Sequence, residues 1–273
     1  MAVAVQQTIS NAGTANFLSR ASNDFSPSLA LGDLIVAQFF SSTNGATFTM
    51  PAGWTEIIKT ENAGDALTSQ ISYKIADAGD VSGTTWEWSD SLGSTQRILH
   101  ITRITGHRAT STITTSSGQS NDASATITAP TVTPVQPESL IMFFTSANAT
   151  RTVSGHTLAT SPPTFTEIYD LTQTSYGVAM ASGLRTAVTA TGSGTVTASG
   201  SCNSIGQLVV VSSPVNTVIT DTINSSEIVS AVRARAILIA DTITLTENIL
   251  KATARYWTNL IKNTKTWLNR GKN

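Results

Sequence analysis

The sequence predicts an all-β fold: a duplicated two-sheet sandwich, jelly-roll-like, followed by a short C-terminal repeat and an amphipathic α-helix. Three observations predict it. Short runs rich in β-branched and aromatic residues alternate with Gly, Pro, Asn, Asp and Ser turns at a regular rhythm, as in sandwiches and barrels. Charged residues make up 12% of the chain, about half the ~25% usual for globular proteins, and Ser and Thr take up the difference. Landmarks of the first half also return in the same order in the second.

Residues 3–9 and 15–18 read as a first strand and its continuation, punctuated by the turns Asn11-Ala12-Gly13 and Ser26-Pro27-Ser28. Leu34–Phe40 begins as an unbroken apolar run, which predicts a central strand covered on both faces. Thr47–Met50 alternates, and Pro51 ends it because proline has no N–H for a ladder. Trp54–Lys59, Ser69–Ile75 and Thr84–Trp88 alternate over short spans, and Arg97–Ile104 closes the half. Turns at 62–65, 77–80 and 91–94 separate them.

The second half repeats the plan with smaller residues. Leu34 and Leu140 lie 106 apart, Glu56 and Glu167 lie 111 apart, and Ile98 and Leu208 lie 110 apart. Gln70–Ile75 is matched with Ser175–Met180, and Thr84–Trp88 with Gly194–Ala198. Residues 1–108 and 109–213 are therefore expected to be related halves sharing one core, with Val132–Pro137 as the join.

In this order the pieces Gly32–Val36, Pro51–Thr55, Tyr73–Asp80 and Trp86–Ser89 read G-D-L-I-V, P-A-G-W-T, Y-K-I-A-D-A-G-D and W-E-W-S. The set resembles a β-sandwich module of bacteriophage virion proteins and some bacterial surface proteins, over roughly residues 1–213. The resemblance implies a non-enzymatic virion component, either a capsid decoration or minor capsid protein or a tail appendage.

Residues 214–273 differ in chemistry. Residues 1–213 carry eight basic and thirteen acidic side chains, and 214–273 carry eight basic and four acidic. Ile219–Ile223 recurs as Ile239–Ile243, Glu227 as Glu247 and Ala234-Arg235 as Ala254-Arg255, a period of 20 that suggests a stalk or a self-packing unit. Asn224–Glu227 and Thr244–Glu247 both resemble capping boxes, so helix and strand stay open for 224–246, with a strand favoured for 236–245. A helix is expected over about 246–268. Leu250, Tyr256, Trp257, Leu260, Ile261, Trp267 and Leu268 are its candidate assembly contacts, and Lys251, Arg255, Lys262, Lys265 and Arg270 lie mostly off the apolar face. Three readings compete: a membrane surface, nucleic acid, or identical helices and a partner groove. The last is favoured, giving a homo-oligomer (a trimer by analogy with stalked virion appendages) in contact with capsid or tail proteins. With a net charge of −1, no nucleic-acid partner is expected.

The remaining candidates are few. Trp86 and Trp88 share a strand face and are either core or an aromatic platform for a bacterial surface glycan, the rival reading. Asp77, Asp80 and Asp90 with Glu87 could line a calcium loop, although acidic turns without metal are common in β proteins. His100, His107 and His156 show no metal-ligand spacing, and Cys202, the sole cysteine, excludes an intrachain disulfide. No Gly-x-Ser-x-Gly elbow or phosphate loop is present, so no enzyme, cofactor or metal is expected. The first residues show no basic-then-apolar signal pattern, and the longest apolar runs fall short of the ~18 residues a membrane span needs. A virion protein made in the host cytoplasm is the expectation.

Overall fold

A computed structural model describes residues 2–62, 64, 67–92, 96–110 and 112–214. The first half contains β1 (Ala4–Gly13), β2 (Phe17–Ala21), β3 (Leu34–Ser41), β4 (Phe48–Thr49), β5 (Thr55–Asn62) and β6 (Leu67–Ile75). A one-turn helix, α1 (Ala78–Ser82), then leads to β7 (Thr85–Asp90) and β8 (Arg97–Thr105). The second half contains β9 (Ile113–Ala129), β10 (Ser139–Ala147), β11 (Val153–Leu158), β12 (Thr166–Gln173), β13 (Tyr176–Arg185) and β14 (Gly194–Val211). The protein is all-β, as the sequence predicts.

The first half forms two antiparallel sheets, β1-β8-β3-β6-β5 and β2-β7-β4. The pairings β1 with β8, β2 with β7 and β3 with β6 are nested, which is the winding of a jelly roll. The second half repeats the order as β9-β14-β10-β13-β12. Here β9 and β14 each run through both sheets. In β14, residues 204–211 pair with β10 and residues 194–198 pair with β11. Two strands of the second half thus do the work that β1 with β2, and β8 with β7, divide in the first.

Pairing fixes the equivalences. Leu34 lies between Ile75 and Ile104, and Leu140 between Leu184 and Val211. Glu56 and Glu167 are true counterparts, each directly before a bulge. Two sequence matches shift. Ile98 corresponds to Ile205, and Leu208 corresponds to Ile101. The slip of three residues is odd, so it swaps faces: Ile98 and Ile205 lie in the core between the halves, Leu208 and Ile101 in the cores within them. Gln70–Ile75 corresponds to residues 179–184 rather than Ser175–Met180, an even slip that alternation alone cannot reveal. The join also moves, because residues 132–137 lie inside the second half, between β9 and β10, while 106–112 connect the halves.

Among the described residues there are three cores where the sequence predicts one shared core. Trp54, Trp86, Trp88, Phe39 and Leu99 fill the first sandwich, and Phe143, Leu208, Val196 and Leu158 fill the second. Leu34, Phe40, Ile71, Met142, Phe144 and Val209 fill the space between the two five-stranded sheets. The reason is the burial of β3 and β10, every residue of which is buried. A central strand apolar on both faces needs a layer on each side. The small sheet supplies one and the sister half the other. Each fully buried Leu or Phe contributes roughly 1.5–3 kcal/mol, so the halves do not part without exposing a large apolar area.

Close approach places glycine at two seams. A Cβ at Gly206 would collide with the carbonyl oxygen of Thr128, where β9 crosses β14. One at Gly118 would collide with Thr60 Oγ1, where β9 packs against β5. The repeat, strand and helix expected within 215–273, with all seven candidate assembly contacts, lie outside the described residues.

Candidate functional surfaces

The acidic turn after β6 is a folding device. Asp77 caps α1: its carboxylate accepts the N–H of Asp80 at 3.1 Å, and the Asp80 carboxylate accepts the N–H of Asp77 at 3.0 Å, a reciprocal capping box. Gly83 then ends the turn in the left-handed region at φ 110°. The Asp80 side chain is fully buried and accepts bonds from Lys74 Nζ at 2.8 and 2.9 Å and from Trp86 Nε1 at 3.0 Å. Burial pulls the Lys74 ammonium down, but its bonds to Asp80 and Asp77 outweigh this and hold its pKa above the ordinary lysine value.

The four acids considered for calcium do not converge. Glu87 is exposed on the outer face of β7. Asp90 is gripped in bidentate fashion by Arg97, at 2.7 and 2.8 Å, and accepts the Ser41 hydroxyl at 2.7 Å. Burial pushes the Asp90 carboxyl up, yet Arg97 and Ser41 prevail and its pKa lies below the ordinary value. Among the described residues, no group of three or more His, Cys, Asp or Glu side chains has the arrangement of a metal site.

The candidate glycan platform is corrected outright. Trp86 and Trp88 are 1% and 0% exposed, and both pack edge-on against Trp54 with ring centroids 5.5 and 4.7 Å apart. They face inward because the small sheet must bury its one apolar face against β3 and β8. Trp86→Phe removes only the bond to Asp80 and a little volume. It is expected to lower stability by about 2 kcal/mol, measured by urea denaturation, because a hydrogen bond to a charged group is lost.

The histidines are also separate. His107 and His156 are partly buried, and burial lowers the His156 pKa to about 4. His100 is 3% exposed, has no hydrogen-bond partner for either ring nitrogen, and stacks on Tyr169 with centroids 3.3 Å apart. Burial drops its pKa to about 3. It lies in the seam between the halves, where a polar chain crosses the apolar core. Tyr169 donates to Gln38 Oε1 at 2.6 Å, and Gln38 Nε2 donates to the Thr145 carbonyl and Ser146 Oγ, each at 3.1 Å. Ser69 donates to Gln207 at 2.9 Å, and Gln207 Nε2 donates to Thr60 Oγ1 at 3.1 Å. This seam joins the halves in one orientation.

No known family model, curated protein or solved structure matches this chain. The surface must therefore be read from its own chemistry.

Among the described residues, open grooves follow the edges of the seam. One of about 480 Å³ is lined by Val3, Val5, Leu140, Ile168 and Leu184. A second, of about 270 Å³, lies at the equivalent place on the opposite edge, between β5 and β9. A third, of about 200 Å³, lies at the other end of the β1–β12 edge and is lined by Ser10, Asn11, Arg20, Thr172 and Gln173. None combines a nucleophile, a base and an orienting partner. Cys202 is buried, and burial pushes its thiol pKa up against the opposing effect of Arg151.

Sequence reasoning missed the seam. Its available signal was a pair of polar residues, Gln38 and Gln207, in otherwise apolar strands. It also missed the groove, whose residues come from four separate strands.

Proposed function

We propose that this chain is a structural protein, a component of a bacteriophage virion that displays the duplicated sandwich and assembles through residues 214–273. The observation that carries the reading is how the described residues use their chemistry. Trp54, Trp86 and Trp88 and the buried charges Asp80, Lys74, Asp90 and Arg97 all serve the fold. The surface left over is sparsely charged and rich in Ser and Thr, which suits binding through area. The resemblance of Gly32–Val36, Pro51–Thr55, Tyr73–Asp80 and Trp86–Ser89 to a virion module supports the placing, and capsid decoration and tail appendage are equal members of it. The excess of basic over acidic side chains in 214–273, with its apolar residues at helical spacing, supports a role in assembly and contact with capsid or tail proteins.

The test is the mass in solution of the full chain and of a chain ending at Pro214. A multimer that becomes a monomer on truncation supports the reading. If both forms are monomeric, the assembly role is wrong.

A further inference from the structure

Large apolar side chains exposed among the described residues are unevenly placed. Leu31, Ile75, Val81, Val135, Leu184 and Val188 are 37–74% exposed, and all lie where β3 and β10 begin or in the connections beside them. Only Phe17 and Leu92 lie at the other end. The two halves point the same way: Val3, just before β1, and Val5 of β1 line one groove with Leu140 and Leu184, and Arg108 N–H donates to the Ser212 carbonyl at 2.9 Å. The apolar residues therefore share one end of the molecule, and the 480 Å³ groove opens beside them. Ile75 and Leu184 are equivalent positions in the duplication, so the exposure occurs in both halves. Beneath this end Lys74 is paired with Asp77 and Asp80, and Arg103 with Asp33, while among the described residues the buried Arg185 bonds only through Nη2, to Thr189 Oγ1 and the Ala190 carbonyl.

We propose that this end is the contact face between copies of the chain. Exposed apolar side chains gathered in one region mark association surfaces. What identifies the occupant is the exit of the chain. Val211 pairs with Leu140 at this same end, Ser213 donates to the Pro137 carbonyl, and residues 215–273 continue from there. The inference rests on the reading that those residues join copies. Copies joined through segments that leave from one end turn that end toward each other, around a shared symmetry axis.

The experiment is sedimentation velocity on the full chain across a concentration series. It compares the unaltered protein, a Leu31→Glu/Leu184→Glu variant and a Phe17→Glu control, with circular dichroism confirming the fold. The expected result is about tenfold or more weaker association for the double variant and none of that loss for the control, since two desolvated apolar side chains are replaced by charges. Unchanged association of the double variant, or equal loss in the control, overturns the contact face while leaving the assembly reading intact. A monomeric unaltered protein overturns both.

Discussion

Asp80→Ala is expected to lower the free energy of unfolding by about 3–5 kcal/mol, seen as a fall in the urea midpoint at nearly unchanged slope. The size follows from what the carboxylate leaves behind. Lys74 is about nine-tenths buried, and without Asp80 it keeps only Asp77, whose side chain is 60% exposed. Trp86 Nε1 loses its acceptor in the same substitution, and the capping box loses its reciprocal half. A buried charge stripped of its partner costs far more than the pair gained on forming. Asp80→Asn separates the parts, because its single amide oxygen retains an acceptor for either Trp86 Nε1 or the Asp77 N–H, which bond to different oxygens of Asp80, but no charge for Lys74, and its loss should be smaller. The double variant Lys74→Met/Asp80→Leu should recover much of the loss of Asp80→Ala, since no charge remains to strand. A cost below about 1 kcal/mol for Asp80→Ala would mean that water reaches Lys74 and that the group works as a surface ion pair.

The same residues show how far sequence alone reaches. Leu34–Phe40 announces a strand covered on both faces, and it is one. The turn Asp77–Asp80 announces acids close together, but acidity in sequence has two readings, a metal loop or a cap, and only the position of Lys74 three residues earlier on β6 decides between them. Trp86 and Trp88 are placed correctly on one face by alternation. Which face is inward depends on the third layer, which sequence cannot supply. The first half reads as strands of the right number, whereas the long β9, the strand β11 and the full length of β14 in the second half are not read, and a pattern of period two fixes register only modulo two. This is why Glu56 and Glu167, marked by the shared Thr-Glu-Ile of 55–57 and 166–168, match correctly while Gln70–Ile75 does not. The exposed end was not legible because Leu31, Ile75, Val135 and Leu184 are distant in sequence, and each alone is an ordinary surface leucine, isoleucine or valine.

His100→Gln is expected to flatten the acid limb of stability. In the folded protein burial lowers the His100 pKa from the ordinary histidine value of 6.5 to about 3. Below pH 6.5 the unfolded chain therefore takes up a proton that the folded chain refuses. Stability contributed by this residue is complete above pH 6.5 and is lost as pH falls toward 3, at up to about 1.4 kcal/mol per unit, or roughly 4–5 kcal/mol over the window. The cause is local: a ring 3% exposed, stacked on Tyr169, with neither nitrogen hydrogen-bonded, cannot compensate an imidazolium. Other groups titrate nearby. Asp90 and Asp77 have lowered pKa values and add losses of the same sign as they protonate, His156 behaves like His100, and Asp170, raised by burial, acts in the opposite sense. The difference between parent and variant isolates His100. Glutamine is the replacement because Gln207 holds the equivalent place in the sister half, so an amide is already compatible with this layer of the seam. Urea midpoints at pH 7, 5.5 and 4 should converge for the variant relative to the parent. A parent and variant that lose stability in parallel would place a partner or water at His100 and remove the seam as the source of acid sensitivity. If the difference does appear, the halves should loosen first along the seam, because His100 faces the core that only the two halves together enclose.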